Sequence, residues 1–245
     1  MFPVPSVPTP AVQPRRAPLW LAGLILSLAL AGPLSAAEKV LSYLKEGQPD
    51  AALLLPPPPA SGSPEQAADM ASVVAVSRAC TTNETEIAAG EKKFSMATFG
   101  PAIGAWWQAG KLPKTEAFLA RVQKDAAIAT DSAKELFQRP RPFTVDPSLA
   151  SGKLEKSFSY PSGHSTEGTV VALVLAELFP AQRDGILAVG RGIGWHRVWI
   201  ARHYPTDIHA GRVYAQAIVR ALKASDRFRE DFAAAKAEIA AAAKE

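Results

Sequence analysis

The chain predicts an all-α fold. No stretch alternates apolar and polar residues between turns long enough to make half-buried strands, so a sheet has no sequence support. Several segments instead repeat apolar residues at three- and four-residue spacing. Their ends carry the serine, proline and glycine residues that start and stop helices.

The elements follow in order. Arg15-Arg16, an uncharged run from Leu19 to Ala31 and the small-residue stretch Gly32 to Ala37 read as a secretory signal peptide, residues 1–37, too short in its apolar part to span a bilayer comfortably. Ala17-Pro18 after the arginine pair is not the apolar pair that twin-arginine signals prefer, and the export route stays open. The expected domain is 38–245. Val40 to Leu44 suggests a short helix ended by Gly47, and Leu53 to Leu55 runs into Pro56–Pro59, an extended strap without amide donors. Ser63-Pro64-Glu65 is an N-cap, first-turn proline and first-turn acid opening a helix to about Arg78. A further helix is expected from Glu86 to Phe99, closed by Gly100-Pro101. From Thr115 the apolar positions Phe118, Leu119, Val122, Ala126, Ala129, Ala133, Leu136 and Phe137 describe a long amphipathic helix that Pro140 must end. Residues 143–160 read as a loop. His164 to Phe179 is apolar almost all round and marks a central buried helix. Asp184 to about Arg202, Asp207 to Leu222 and the Ala-rich 233–243 complete the set.

Charge narrows the function classes. Formal net charge is +4, and Arg15 and Arg16 of the predicted signal account for two of the 27 basic residues while none of the 23 acids falls there. The remainder is near neutral and carries no basic tract, so no nucleic-acid-binding module is expected. A single cysteine, Cys80, excludes an intramolecular disulfide. No long apolar span follows the signal segment, so none is expected in the mature protein. The apolar strap and the terminal segment leave room for pairing of subunits into a homo-oligomer.

The chemistry is concentrated in three segments. All four histidines lie between His164 and His209. Lys134 and Arg141, seven residues apart, fall near one helical face, with Pro140 and Pro142 bending the end inward. Lysine offers a point charge and arginine a planar fork for two phosphate oxygens; Arg139 competes for the same role. Alone, such a pair is usually a solvated face. Pro161-Ser162-Gly163-His164 precedes a helix, where the Ser162 hydroxyl and successive amide N–H groups form an anion nest and Gly163 permits close backbone approach. An ordinary N-cap turn is the competing reading. Arg197, His203 and Asp207 form the third segment: Asp207, four residues past His203, can hold one ring nitrogen and leave the other free to attack. Three cations, two histidines and a carboxylate constitute a phosphoryl-transfer set.

These three segments, in order and internal spacing, resemble the signature of the phosphatidic acid phosphatase type 2 superfamily, which includes bacterial class A non-specific acid phosphatases, membrane lipid phosphatases and vanadium haloperoxidases. The signal peptide, the Leu-Leu-Pro-Pro-Pro-Pro strap and Ser159-Tyr160 before Pro161 make the chain look like class A. The resemblance implies a helical bundle of the acid phosphatase/vanadium haloperoxidase type, export to the periplasm and hydrolysis of small phosphomonoesters without metal or other cofactor. It assigns His203 as nucleophile, Asp207 as its orienting partner and His164 as acid then base. Lys134, Arg141, Ser162, Gly163 and Arg197 become the phosphate-binding set. His196 stands where the family usually has Ser, Phe158 where class A enzymes commonly have Gly, and Ser165 where they have Thr. His196 and His209 lie outside the signature. A vanadium-dependent haloperoxidase uses the same residues, but the short chain and class A features oppose it. A non-catalytic periplasmic phosphate-binding protein would require a lost reacting residue, and none is lost.

Overall fold

A computed structural model describes residues 40–242, and the predicted signal peptide lies outside them. Ten α-helices occur in this stretch: α1 (Ala51–Leu54), α2 (Pro64–Ala79), α3 (Thr82–Gly90), α4 (Gly100–Ile103), α5 (Pro113–Phe137), α6 (Pro142–Val145), α7 (Gly163–Leu178), α8 (Arg183–Trp199), α9 (Pro205–Lys223) and α10 (Asp226–Ala242). No strand occurs among the described residues, and none of their helices is long and apolar enough to cross a membrane.

The long helices form where the sequence places them, for the expected reasons. Ser63 caps α2 by accepting from the Gln66 amide at 3.1 Å. Helix α5 buries Phe118, Leu119, Val122, Ala126, Ala129 and Ala133 of the predicted stripe, but Leu136 is exposed and Phe137 half-buried where the helix leaves the core; it ends with Gln138 in the left-handed conformation, its N–H returning to the Lys134 carbonyl at 2.9 Å. Its start is capped from afar. Glu238 of α10 accepts from the amides of Lys114 at 3.0 Å and Thr115 at 2.7 Å.

Helix α7 is the axis around which α5, α8 and α9 pack. Val170, Val171, Val174 and Leu175 are buried along it, and truncating the fully buried Leu175 to Ala should cost about 2–5 kcal/mol. Its N-terminal turn is gripped on two sides. A β-carbon on Gly194 of α8 would sit 2.9 Å from the Ser165 β-carbon, and one on Gly211 of α9 would sit 2.8 Å from the same atom. Ser165 Oγ also donates to the Ile208 carbonyl at 2.7 Å. Two glycines therefore let three helices close on the turn carrying Ser162, Gly163 and His164.

Several shorter expectations are corrected. Residues 40–44 are not helical, because the Asp125 carboxylate of α5 accepts from the amides of Ser42, Tyr43 and Leu44 at 2.7–2.9 Å and holds the segment against the bundle. The expected helix 86–99 is broken. A Thr81–Glu84 capping box starts α3 earlier, the helix closes at Gly90, and short 3-10 turns at Glu91–Lys93 and Met96–Phe99 flank a restart at Ser95. The loop 143–160 contains α6 and a 3-10 turn at Pro147–Leu149. Helix α10 begins seven residues before the Ala-rich stretch, at Asp226. The proline strap is ordered: Tyr160 Oη donates to the Pro56 carbonyl at 2.6 Å. Leu55 is buried, whereas Leu53 stays 85% exposed. Leu55, Pro57, Tyr160, His209 and Val213 line a cavity of about 430 Å³ beneath the strap.

Candidate active site

Backbone hydrogen bonds stitch the three predicted segments together. The Ser159 amide donates to the Arg139 carbonyl at 2.8 Å, and the Ser162 amide donates to the Asp207 carbonyl at 3.1 Å. Arg141 Nη1 reaches the Arg202 carbonyl at 2.9 Å. Helix α8 ends at Trp199 and turns through Ala201 in the left-handed conformation, which delivers His203 to the buried face.

His203 is held from behind as the spacing predicts. Its Nδ1 lies 3.3 Å from Asp207 Oδ2, and Ser159 Oγ sits 3.3 Å from the same nitrogen while donating to Asp207 Oδ2 at 2.5 Å. With the Nδ1 proton directed at the carboxylate, the Nε2 lone pair faces the opposite way. There Arg141 Nη1 lies 3.2 Å from it. Burial first, then Arg141 and Lys134, hold the His203 imidazole well below its ordinary range, so its neutral, nucleophilic form is favoured.

Asp207 is wholly buried and fully occupied. Besides Ser159 and His203 it accepts from the Tyr204 amide at 2.9 Å and from Arg139 Nη1 at 2.6 Å. Arg139 is thus separated from Arg141 in function. Its guanidinium also donates to Asp69 at 2.7 Å, Thr206 at 2.7 Å and Gln66 at 2.5 Å, and lies 3.8 Å over the Tyr204 ring. Of these two arginines, Arg139 serves the carboxylate and Arg141 the imidazole.

The cations face the other side of His203. Lys134 Nζ donates to the carbonyls of Phe158 at 2.7 Å and Ser159 at 3.3 Å; burial and Arg141 push its ammonium down to about 7. Arg141 is held through Nε to the Ser157 carbonyl at 2.7 Å and pushed down to about 10, chiefly by burial. Arg197 donates from Nη1 to the Ala88 carbonyl at 2.7 Å and from Nη2 to Glu155 at 3.4 Å, and its buried Nε has no partner among the described residues. Burial lowers its pKa as well. Ser162 is the N-cap of α7, accepting from the Ser165 amide at 3.3 Å. The N-cap reading of Ser162 therefore holds, and a cap turn has the geometry that an anion nest would use. Gly163 lies with its α-carbon beside Lys134, whose Cε would be 3.9 Å from a β-carbon there. His164, half-buried, is pushed down to about 3 by burial and by Arg197, against the pull of the Lys92 and Glu91 carbonyls.

The structure therefore brings the seven other predicted residues together around the His203 imidazole. Sequence reasoning missed the supporting carboxylates. Glu155 bridges Arg197 and Arg202, the latter at 2.9 Å, and Glu167, one turn beyond Gly163, is pushed up to about 7 by burial while accepting from Gln123 at 3.2 Å. The i, i+4 relation of Glu167 to Gly163 was a signal in the sequence; the Asp69–Arg139 pairing, 70 positions apart, left none. His209 is exposed under the strap, away from this cluster, whereas His196 bonds Glu91 at 2.7 Å.

Comparison with known proteins agrees with the geometry. The PAP2 superfamily model matches residues 122–230, which hold all three segments. The chain is 32% identical to an acid phosphatase of Zymomonas mobilis, over 78% of this chain and 75% of that one. It is 37% identical to a non-specific acid phosphatase of Providencia stuartii, over 52% of this chain and 54% of that one, and 31% identical to the Salmonella typhimurium counterpart, over 58% and 59%. The chain thus spans a little over half the length of the Providencia and Salmonella proteins. A solved transmembrane PAP2 type phosphatidylglycerolphosphate phosphatase from Bacillus subtilis is 19% identical, with a TM-score of 0.48 over 71% of this chain and 89% of that one. With its three segments gathered on His203 and a relative of this similarity matched over most of both lengths, the chain belongs to the PAP2 superfamily.

Proposed function

We propose that the protein is a phosphomonoester hydrolase that works through a phosphohistidine on His203, without a metal ion and in an exported, periplasmic form. The observation that carries the reading is the two-sided environment of that imidazole. Asp207 occupies Nδ1 at 3.3 Å, and Nε2 points at Arg141 among Lys134, His164 and Arg197. Relatives named acid phosphatases support the same activity, and the cations present supply the charge stabilisation that bound metal provides elsewhere.

In the proposed reaction, phosphate oxygens draw the Arg141 guanidinium from Nε2, which frees the attacking lone pair. An N–P bond forms at Nε2 as the ester O–P bond breaks, and the leaving oxygen takes a proton from His164. Asp207 stabilises the ring as it becomes cationic. A water molecule then gives a proton to His164 and attacks phosphorus, the N–P bond breaks, and inorganic phosphate leaves. Lys134, Arg141, Arg197, Ser162 Oγ and the Gly163 amide hold the equatorial oxygens. Depression of His164 to about 3 adds a condition to the acid step. The substrate's own negative charge must restore its proton by offsetting Arg197, so phosphate binding takes up protons.

The test is rapid-quench trapping of the phosphoenzyme with labelled substrate. Wild type should yield an acid-labile adduct, and His203→Ala should lose it together with at least about 10⁴-fold in turnover. Label retained on the His203→Ala variant, or turnover abolished by chelator and restored by Zn²⁺ or Mg²⁺, would sink the reading. The haloperoxidase alternative has no separate observation in its favour.

A further inference from the structure

His196 stands where the family usually has Ser, and the structure builds a seat for it. Its ring stacks on Trp199 with centroids 4.0 Å apart and planes at 18°. On the other side is Gly192, one turn earlier, where a β-carbon would come within 3.1 Å of the imidazole. A β-carbon at 192 would make the ring give by a few tenths of an ångström. From this slot Nδ1 reaches Glu91 Oε2 at 2.7 Å, with both side chains mostly withdrawn from solvent.

Glu91 opens the 3-10 turn Glu91–Lys93, and that turn faces His164. The carbonyls of Glu91 and Lys92 favour the charged form of the His164 ring, and Phe94, the next residue after the turn, lies 6.3 Å from it between centroids. The neighbouring residue on α8, Arg197, grips the same segment by donating to the Ala88 carbonyl at 2.7 Å. Consecutive side chains of α8 thus hold the last turn of α3 and the first residue of the 3-10 turn that follows it. One grip lies in the phosphate-binding set and the other outside it. A 3-10 turn of three residues has few bonds of its own to fix its carbonyls.

We propose that His196 is a positioning residue: by binding Glu91 it fixes the segment from Glu91 to Phe94, whose aromatic ring lies beside His164, and so aligns the His164 ring for proton transfer to the leaving group. The inference rests on the general-acid role given to His164 above. In this device a histidine that never touches substrate controls the alignment of one that does. Misalignment of a proton donor penalises substrates whose leaving oxygen needs a proton and spares those whose leaving group departs as a stable anion.

The experiment measures phosphorylation rates of wild type, His196→Ala, Glu91→Gln, His164→Ala and the His164→Ala/His196→Ala double variant on an alkyl phosphate and on nitrophenyl phosphate. The His196 variant should lose about tenfold or more on the alkyl ester and less than about threefold on the nitrophenyl ester, a selectivity that simple loosening of the fold does not produce. In the His164→Ala background the same change should add no further selective loss. Equal loss on both esters, or the same selective loss without His164, would overturn the proposal. A second readout is the ring N–H resonance of His164 in NMR spectra, which should shift in Glu91→Gln and in His196→Ala; an unchanged resonance also overturns it, and Glu91→Gln decides the matter should His196→Ala fail to fold. Failure of the parent reading is distinct: His164→Ala itself would then lose equally on both esters.

Discussion

The two sides of His203 are built on opposite electrostatic plans. Behind the ring, every charge has its counterpart: Asp207 accepts four bonds, and Arg139 joins it to Asp69 while covering the Tyr204 face. In front, Lys134, Arg141 and Arg197 crowd together holding mostly backbone carbonyls, and all three are depressed from their ordinary pKa values by burial. The back is a finished structure. The front holds its cations at the cost of burial, and in the proposed reaction a bound dianion would offset that cost, keeping stability and reactivity on neighbouring residues.

Breaking each side should have unequal effects on stability. Arg139→Leu leaves two buried carboxylates without their cation and should cost about 3–5 kcal/mol in urea unfolding. Lys134→Met removes a cation that is itself poorly accommodated, and should change stability by less than about 1 kcal/mol at pH 6 while eliminating phosphate binding. Equal destabilisation by the two would erase the distinction.

Inorganic phosphate sharpens the comparison without mutation. At about 100 times its Kd it should add about 2.7 kcal/mol to stability, read as a rise in Tm. The pH dependence follows from Lys134, pushed down to about 7. Bound dianion raises that pKa, so above about 7 binding takes up a proton and affinity falls with rising pH, by up to about tenfold per unit. The His164 contribution to folding has a defined sign too. Its folded pKa of about 3 lies below the unfolded value of about 6.5, so the unfolded chain binds more protons between them and stability falls as pH drops through that window. Phosphate should oppose this acid loss. Titration calorimetry of phosphate in buffers of different ionisation enthalpy measures the protons taken up, and proton release on binding would contradict the front-side picture.

The smallest effect belongs to a histidine on neither side. His209→Ala lies exposed beneath the proline strap and should leave turnover within about twofold of wild type in a steady-state assay. A larger loss would join the strap cavity to the chemistry.

What could be read from the sequence was local. The long helices α5, α7 and α9 were legible from their apolar spacing and terminal prolines, and His203 with Asp207 from a separation of four across one turn. Where a distant side chain takes over backbone donors, local pattern failed. Asp125 captures three amides of residues 42–44, which otherwise read as a helix, and Glu238 caps α5 from the far end of the chain. The earlier start of α3 was signalled by Thr81 and Glu84, whose reciprocal bonds cap it. Arg139 and Arg141 carry the same charge in the same Arg-Pro repeat, and only tertiary placement separates the clamp on Asp207 from the partner of His203. The depressed values of Lys134 and His164 come from burial and neighbouring cations, which no single segment contains.

The closing of three helices on Ser165 has a consequence for how this protein would tolerate change. Gly194 and Gly211 touch no reacting atom, yet any side chain there must displace the backbone that presents His164. In a saturation library scored by activity, both positions would register as intolerant as His203 itself. A map of such scores would outline an active site larger than the chemistry, because it would also trace the bearing surfaces on which the catalytic turn is mounted.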